Sequence, residues 1–433
     1  SFEYLYKKTR AWASWLDGAS LGPGKVVGIQ GDYSVDTVAL FLALFLRKAV
    51  IVPVVTEVED ELQTRLRIAG ATHLIRIPPE PNSLSEGVEV FIESIANETG
   101  QAAHEMIRQL QSAERAGLVL FSSGTTGEPK AMLHDLDNLI SVYEPKKPRN
   151  LSLLVLLAYD HIGGLNTLLN ALASGMQLVV PLRREPQIVG ELIEKYRVNI
   201  LPASPTFLNL LLLSGVPEQY DLSSIKFITY GTEPMQESLL DKLKKQFPRA
   251  KLLQTFGTSE TGISSTTSQS STSLFMKMDD PDHEYKIVDG ELWLRSKTQI
   301  KGYLNAPMDA FTEDGWFRTQ DRVEETEDGY IRILGRMQEI INIGGQKVSP
   351  TEIESVLLDC PEVADCVVYA ADNPLTGQTP VVEMVPAGSL EPAELKSTVR
   401  RYCRKHLESW KTPTKFLITD KPLFNSRFKK LRN

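Results

Sequence analysis

Over roughly its first two-thirds the sequence alternates short β-branched runs with amphipathic stretches, and this alternation restricts the fold more than any other feature. Val26-Val27-Gly28-Ile29 precedes a helical period over 35–46, which is followed by Ile51-Val52-Pro53-Val54-Val55. The pattern returns as an apolar run at 153–158, a helix over about 166–173, and Leu178-Val179-Val180. It returns again as Asn199-Ile200-Leu201, a helix over 205–213, and Phe227-Ile228-Thr229-Tyr230. Strands separated by helices read as βαβ units around parallel sheets, so the fold class is α/β.

From about residue 284 the texture changes. Short strands at 285–288, 291–295 and 330–334 are split by Asp289-Gly290, Asp314-Gly315 and Asp328-Gly329, the pattern of an antiparallel or barrel-like unit. After Gly335 the pattern becomes α+β, with a helix near 350–359, strands at 366–369 and 381–385, and a helix over 392–406. A chain of 433 residues exceeds one compact core, and the expected division is 1–335 and 336–433, joined by a short hinge.

Composition narrows the function. A formal net charge of −8 argues against a general grip on nucleic acid or an anionic membrane surface. Cys360, Cys366 and Cys403 are too few and too irregular for a disulfide framework or a metal-ligand set. No apolar stretch is long enough to span a membrane. No secretory leader is read at Ser1, and the expected compartment is the cytoplasm.

The sharpest chemical signal is Phe121-Ser122-Ser123-Gly124-Thr125-Thr126-Gly127-Glu128-Pro129-Lys130, directly after the apolar run Gly117-Leu118-Val119-Leu120. Glycines let the backbone approach an anion closely and aim N–H groups at it. The hydroxyls of Ser122, Ser123, Thr125 and Thr126 add donors, and Lys130 adds charge against a polyphosphate. The spacing is not that of a Walker A loop. The bland alternative is a surface turn, though such a turn seldom joins so many donors to the end of a buried strand.

Further segments follow in a definite order. Thr255-Phe256-Gly257-Thr258-Ser259-Glu260 offers a ring that could stack on adenine and a carboxylate four residues on that could hold Mg²⁺; alone it could equally be a strand end and turn. Gly315-Trp316-Phe317-Arg318-Thr319-Gln320-Asp321 presents a carboxylate suited to vicinal ribose hydroxyls, or simply a surface aspartate. Gly335-Arg336-Met337-Gln338 precedes Gly344-Gly345-Gln346-Lys347-Val348-Ser349-Pro350-Thr351-Glu352-Ile353-Glu354, in which Ser349, Pro350 and Glu352 fit N-cap, N1 and N3 of a capping box.

Together these motifs resemble the adenylate-forming superfamily of acyl-CoA synthetases, nonribosomal-peptide adenylation domains and firefly luciferase. The loop matches its Ser-Gly-Thr-Thr-Gly-x-Pro-Lys signature, with Ala131 where glycine is common after the lysine. Tyr159-Asp160-His161-Ile162-Gly163-Gly164 is similar to the element lining the acyl pocket, with His161 beside the substrate carboxylate. Tyr230-Gly231-Thr232-Glu233 is similar to the segment bordering adenine. Gln320 replaces a usual glycine, and Gln338 sits where the hinge pivot is usually Asp or Lys. The terminal Phe424-Asn425-Ser426-Arg427-Phe428-Lys429-Lys430-Leu431-Arg432 lacks the glycine that precedes the catalytic lysine. Lys429 keeps the spacing to Arg432 and is the expected catalytic lysine, with Lys430 the second candidate.

The resemblance implies a large N-terminal domain of two α/β lobes plus a distorted β-barrel, and a small C-terminal α+β lid. It implies ATP, Mg²⁺ on Glu260, and acyl transfer from an adenylate to coenzyme A; a separate carrier protein is the alternative acceptor, and a non-catalytic nucleotide-binding paralogue the alternative class. Arg336 reaches ribose or phosphate, and the Gly344, Gly345 and Lys347 face is exposed when the lid turns. The lining candidates Ile162, Gly163, Thr232 and Gly262, Ile263, Ser264 suit an apolar monocarboxylic acid.

Overall fold

The computed structural model describes residues 1–78, 91–94, 104–122, 128–144, 146–425 and 427–432. Among these the alternation of the first half builds two sheets. One is seven-stranded; its strands Val26–Gln30, Val50–Val54, His73–Arg76 and Gly117–Ser122 are mutually parallel, and antiparallel strands lie at its edges. The other is five-stranded and parallel, in the order Lys251–Gln254, Phe227–Tyr230, Ile200–Ala203, Ser152–Leu154, Gln177–Val179. Both are covered by helices, so their strands read as continuous apolar runs rather than alternating ones.

The helices at 35–46 and 205–213 lie where the periodicity puts them, because Ser34 and Ser204 each cap the helix that follows. The helix expected over 166–173 instead begins at Ile162. His161 is its N-cap, its Nδ1 accepting from the Gly163 N–H, and the glycines that mask the period are there for space. A Cβ at Gly164 would sit 2.0 Å from the Ala158 carbonyl oxygen.

The later strands form a six-stranded antiparallel sheet with an open edge order, Thr266–Ser268, Met276–Met278, Ile331–Arg336, Phe317–Glu325, Glu291–Ser296, His283–Val288. It is the curled half-barrel expected from the turn pairs. Beyond it a 3₁₀ turn, Met337–Glu339, leads to a small α+β unit. There Val363–Asn373 and Gly377–Pro386 form a long hairpin packed by Pro350–Leu358 and Pro392–His406, around its own apolar cluster. The capping box forms only in part. Ser349 caps the helix through the Thr351 N–H and Pro350 holds N1, but the Glu352 carboxylate is taken by Lys411 at 2.7 Å.

Candidate active site

In a parallel sheet every strand delivers its next loop to the same edge, and crevices beyond the carboxyl ends are where ligands sit. Here the carboxyl ends deliver Asp160 and His161, Ser204, Gly231 to Glu233, and Thr255 to Gly257 from the five-stranded sheet. The first sheet delivers Val55 to Glu57 and Ser122. Between them lies a cavity of ≈ 400 Å³, lined among others by Arg65, Asp160, His161, Arg184, Thr232 and Lys429.

Of the nucleoside candidates, Thr232 lines this cavity. Gly231 lies against Thr255, and a Cβ there would stand 2.6 Å from the Thr255 carbonyl oxygen, so the two strand ends meet only if residue 231 is glycine. Thr232 then adopts a left-handed backbone at φ 73°, a strained geometry for a β-branched residue. Phe256 is half-buried on a hairpin of Phe256–Thr258 with Gly262–Ser264. Asp321 is 6% exposed and faces Arg336 across paired strands, with Arg336 Nε 3.0 Å from Oδ1. Burial pushes its carboxyl up to about 6, against the pull of the Arg336 guanidinium. Gln320 beside it sits at φ 61°, the conformation glycine would take without strain, and its Oε1 accepts from Gln338 Nε2 at 2.6 Å. The two departures from the family pattern are therefore partners.

For the phosphate loop the structure supplies both ends. Ser122 and Lys130 are paired across adjacent antiparallel strands, so the loop leaves and returns at one point. Ser123, Gly124, Thr125, Thr126 and Gly127 lie outside the described residues. Asn305 clamps the returning end, accepting from the Ala131 N–H and donating to the Pro129 carbonyl, each at 2.9 Å. Lys130 Nζ lies 5.5 Å from the ring centre of Tyr303, whose hydroxyl donates to Glu260 Oε1 at 3.1 Å. Ser259 is half-buried next to Glu260. Among the described residues no three acidic, His or Cys side chains converge as a metal site. Glu260 thus fits Mg²⁺ only in the way that ion binds at nucleotides, through one carboxylate plus phosphate oxygens and water.

The terminal segment closes the site. Arg427, Phe428 and Lys429 all line the cavity. Burial and the neighbouring Arg427 hold the Lys429 ammonium below the ordinary lysine range, and Glu233 opposes them. Burial, Lys429 and Arg427 together push His161 down to about 3, so its ring is neutral. Since Nδ1 accepts from Gly163, the ring proton lies on Nε2, leaving a neutral donor. Lys430 turns the other way, into the α+β unit. Its Nζ is 3.3 Å from Asp365 Oδ1 and donates to the Cys366 carbonyl, and its own charge is stabilised by Glu354 and Asp365 despite burial. Of the two lysines only Lys429 meets the cavity.

Known families and proteins match this chain. The profile of the AMP-binding enzyme family matches residues 1–304, and that of the AMP-binding enzyme C-terminal domain matches residues 352–427. The chain belongs to the AMP-binding enzyme family. A protein of Humulus lupulus named as a probable CoA ligase is 31% identical over 344 residues, covering 71% of this chain and 62% of the relative. A 4-coumarate-CoA ligase of Narcissus pseudonarcissus is 30% identical over 323 residues, covering 67% of this chain and 59% of the relative. A 4-coumarate-CoA ligase of Arabidopsis thaliana is 28% identical, covering 82% and 72%. The chain thus spans about three fifths of the length of the first two. Among solved structures, the anthranilate CoA ligase AuaEII with anthranoyl-AMP superposes with a TM-score of 0.79 at 19% identity, covering 99% of this chain and 90% of that one. The o-succinylbenzoate CoA synthetase of Bacillus subtilis with its acyl-adenylate gives 0.75 at 23%, covering 100% and 92%. The fold is shared.

Within this member of the family some expected site residues stand apart. Gly344 and Gly345 form a tight hairpin turn at φ 60° and 91°, and with Gln346 and Lys347 they are exposed on the α+β unit, away from the cavity lining. Sequence reasoning missed Arg65, Arg184, Tyr303 and Arg427. Arg65 and Asp160 are 95 residues apart and Arg427 and Asp160 are 267 apart, separations at which no local pattern signals a contact.

Proposed function

We propose that this chain activates a carboxylic acid with ATP, forming an acyl-adenylate and releasing pyrophosphate, and then passes the acyl group to the thiol of coenzyme A. The observation that carries the reading is the meeting of Lys429 with His161 and Thr232 in the lining of one cavity. A carboxylate attacks the α-phosphorus and needs no strong base, because it is already ionised. Catalysis is then alignment plus neutralisation of phosphate charge. Lys429 sits across the acyl carboxylate and α-phosphate, and the neutral Nε2–H of His161 donates to an oxygen of the same pair. Asp321 accepts the ribose hydroxyls and Phe256 stacks on the base, with Gly231, Thr232 and Glu233 forming its border. Glu260 would hold Mg²⁺, which would supply charge to the phosphates, and Lys130 and the loop hold those phosphates. The domain division falls at 335/336, with the turn Met337–Glu339 as the hinge on which the lid brings Gly344, Gly345 and Lys347 toward the thiol.

The names of the relatives and of the superposable structures support coenzyme A as the acceptor and an aromatic acid as the substrate. Acid-dependent exchange of labelled pyrophosphate into ATP, over a panel of aromatic and aliphatic acids, tests the first half-reaction. Parallel assays with coenzyme A and with a carrier protein test the acceptor. Exchange without thioester formation on coenzyme A, but with carrier loading, would replace the acceptor and leave the adenylation.

A further inference from the structure

Within the segment that carries Lys429 the backbone is tied down, Lys429 included, its N–H donating to Asn425 Oδ1 at 3.2 Å and its carbonyl accepting from the Asn425 N–H at 3.0 Å, while its ammonium is not. The Phe428 carbonyl accepts from Ser204 Oγ at 2.8 Å, and its ring packs edge-on to Phe207 with centroids 5.1 Å apart. The Lys430 N–H donates to Glu233 Oε2 at 3.3 Å. Arg427 Nη2 donates to Asp160 Oδ2 at 2.9 Å. Lys429 Nζ has no ion-pair partner among the described residues. Phe428, at φ 52°, turns the chain so that Arg427 and Lys429 both face the cavity.

Asp160 is the unusual member. It is 4% exposed, and its Oδ2 is shared between Arg427 and Arg65 Nη1 at 3.0 Å. Its Oδ1 is buried with no hydrogen-bond partner among the described residues. Arg65 comes from the helix Glu59–Ala69 and is also held by Glu61, so it remains when the terminal segment moves. Breaking a buried ion pair is costly chiefly because one charge is left alone. Here that cost is avoided, since Asp160 keeps one guanidinium after Arg427 leaves.

Resting on the adenylation reading, we infer that Asp160 and Arg427 form a releasable ion pair that sets Lys429 at the reacting atoms for adenylation and lets it go for the thiol step. Both are positioning residues; neither needs to touch the acid or the nucleotide. The pair supplies direction and charge-assisted strength two residues from Lys429. Ser204, Phe207 and Glu233 fix only its backbone and the Phe428 ring.

Arg427→Gln is the first test, because it leaves the Arg65–Asp160 pair in place and the fold intact. The expected result is a fall of roughly tenfold or more in kcat for acid-dependent pyrophosphate exchange, the scale on which a displaced reacting group loses rate. KM for ATP should stay within about twofold, and thioester formation from supplied acyl-adenylate should run at the wild-type rate. Arg427→Lys should recover part of the exchange. Asp160→Asn should reproduce the exchange defect, and the double variant Asp160→Asn/Arg427→Gln should lose no more than the weaker single variant, as expected for two residues acting through one contact. Wild-type exchange in Arg427→Gln, equal losses in both half-reactions, or additive losses in the double variant would each overturn the latch alone. A wild-type protein that exchanges with no acid would overturn the adenylation reading and the latch with it.

Discussion

Replacing Asp321 by Asn should make the ligand-free protein more stable at neutral pH while weakening its hold on ATP. The carboxyl is buried at the border of the two units and its value is raised from 3.8 to about 6, chiefly by desolvation that Arg336 only partly offsets. A group whose folded value lies above its unfolded value stabilises the fold while protonated and loses that contribution as pH rises through the folded value. The rise corresponds to about 3 kcal/mol, at about 1.4 kcal/mol per pH decade, fully felt above about pH 6. Asparagine mimics the protonated shape and keeps an oxygen toward Arg336. Thermal melts of ligand-free Asp321→Asn and wild type should therefore coincide near pH 4 and diverge toward pH 8, with the variant the more stable. Calorimetric titration should show weaker ATP binding, because two charge-assisted bonds are lost, each about 1.5–3 kcal/mol. Equal melting at about pH 8 would refute the desolvation reasoning, and unchanged ATP affinity would refute the ribose assignment.

Three further outcomes are expected. Lys430→Ala should lower the melting temperature sharply, since it strands Asp365 and part of Glu354 inside the α+β unit at a cost of about 3–5 kcal/mol; the ratio of the two half-reaction rates in the folded fraction should not move, and a selective exchange defect would contradict its structural assignment. Gly231→Ala should raise KM for ATP and weaken stability together, because its Cβ would press on the Thr255 carbonyl, and a variant indistinguishable from wild type in both would show that the strand ends yield. Gln338→Pro should slow thioester formation more than adenylation, since proline fixes φ in the turn Met337–Glu339 and removes the bond to Gln320; stopped-flow comparison of the two half-reactions decides it, equal slowing counting against the hinge.

Much of the fold was legible because local signals and burial agree. Ser34 and Ser204 cap helices whose bounds match the apolar period, and the turn pairs at 289–290 and 328–329 separate strands of the antiparallel sheet. Where legibility failed, a residue served two purposes. The helix was expected to start at about 166, yet Gly164 sits inside it because nothing larger fits beside Ala158. Strand lengths in the α+β unit were underestimated, because the hairpin Val363–Asn373 with Gly377–Pro386 runs into polar, half-exposed residues that carry no apolar signal. Of the site, single residues within motifs could be named, but not their partners. The missing glycines at 320 and 428 looked like defects in the motifs; the backbone adopts the left-handed form at both, held by Gln338 in one case and by Phe207 and Ser204 in the other. The choice between Lys429 and Lys430 also needed three dimensions, since it turns on which neighbours carry the carboxylates Glu354 and Asp365.

The account stands most directly on Lys429, and pyrophosphate exchange of Lys429→Ala measures its role. With the best acid from the panel, the exchange rate should fall by roughly a hundredfold or more, the scale for losing one preorganised charge-stabilising group. ATP affinity and thioester formation from supplied acyl-adenylate should remain near wild type. In the wild type, exchange should also decline on the alkaline side at a pH below the ordinary lysine value of 10.5, because Lys429 loses its proton earlier when buried beside Arg427. Exchange that survives in Lys429→Ala at the wild-type rate would contradict the central claim.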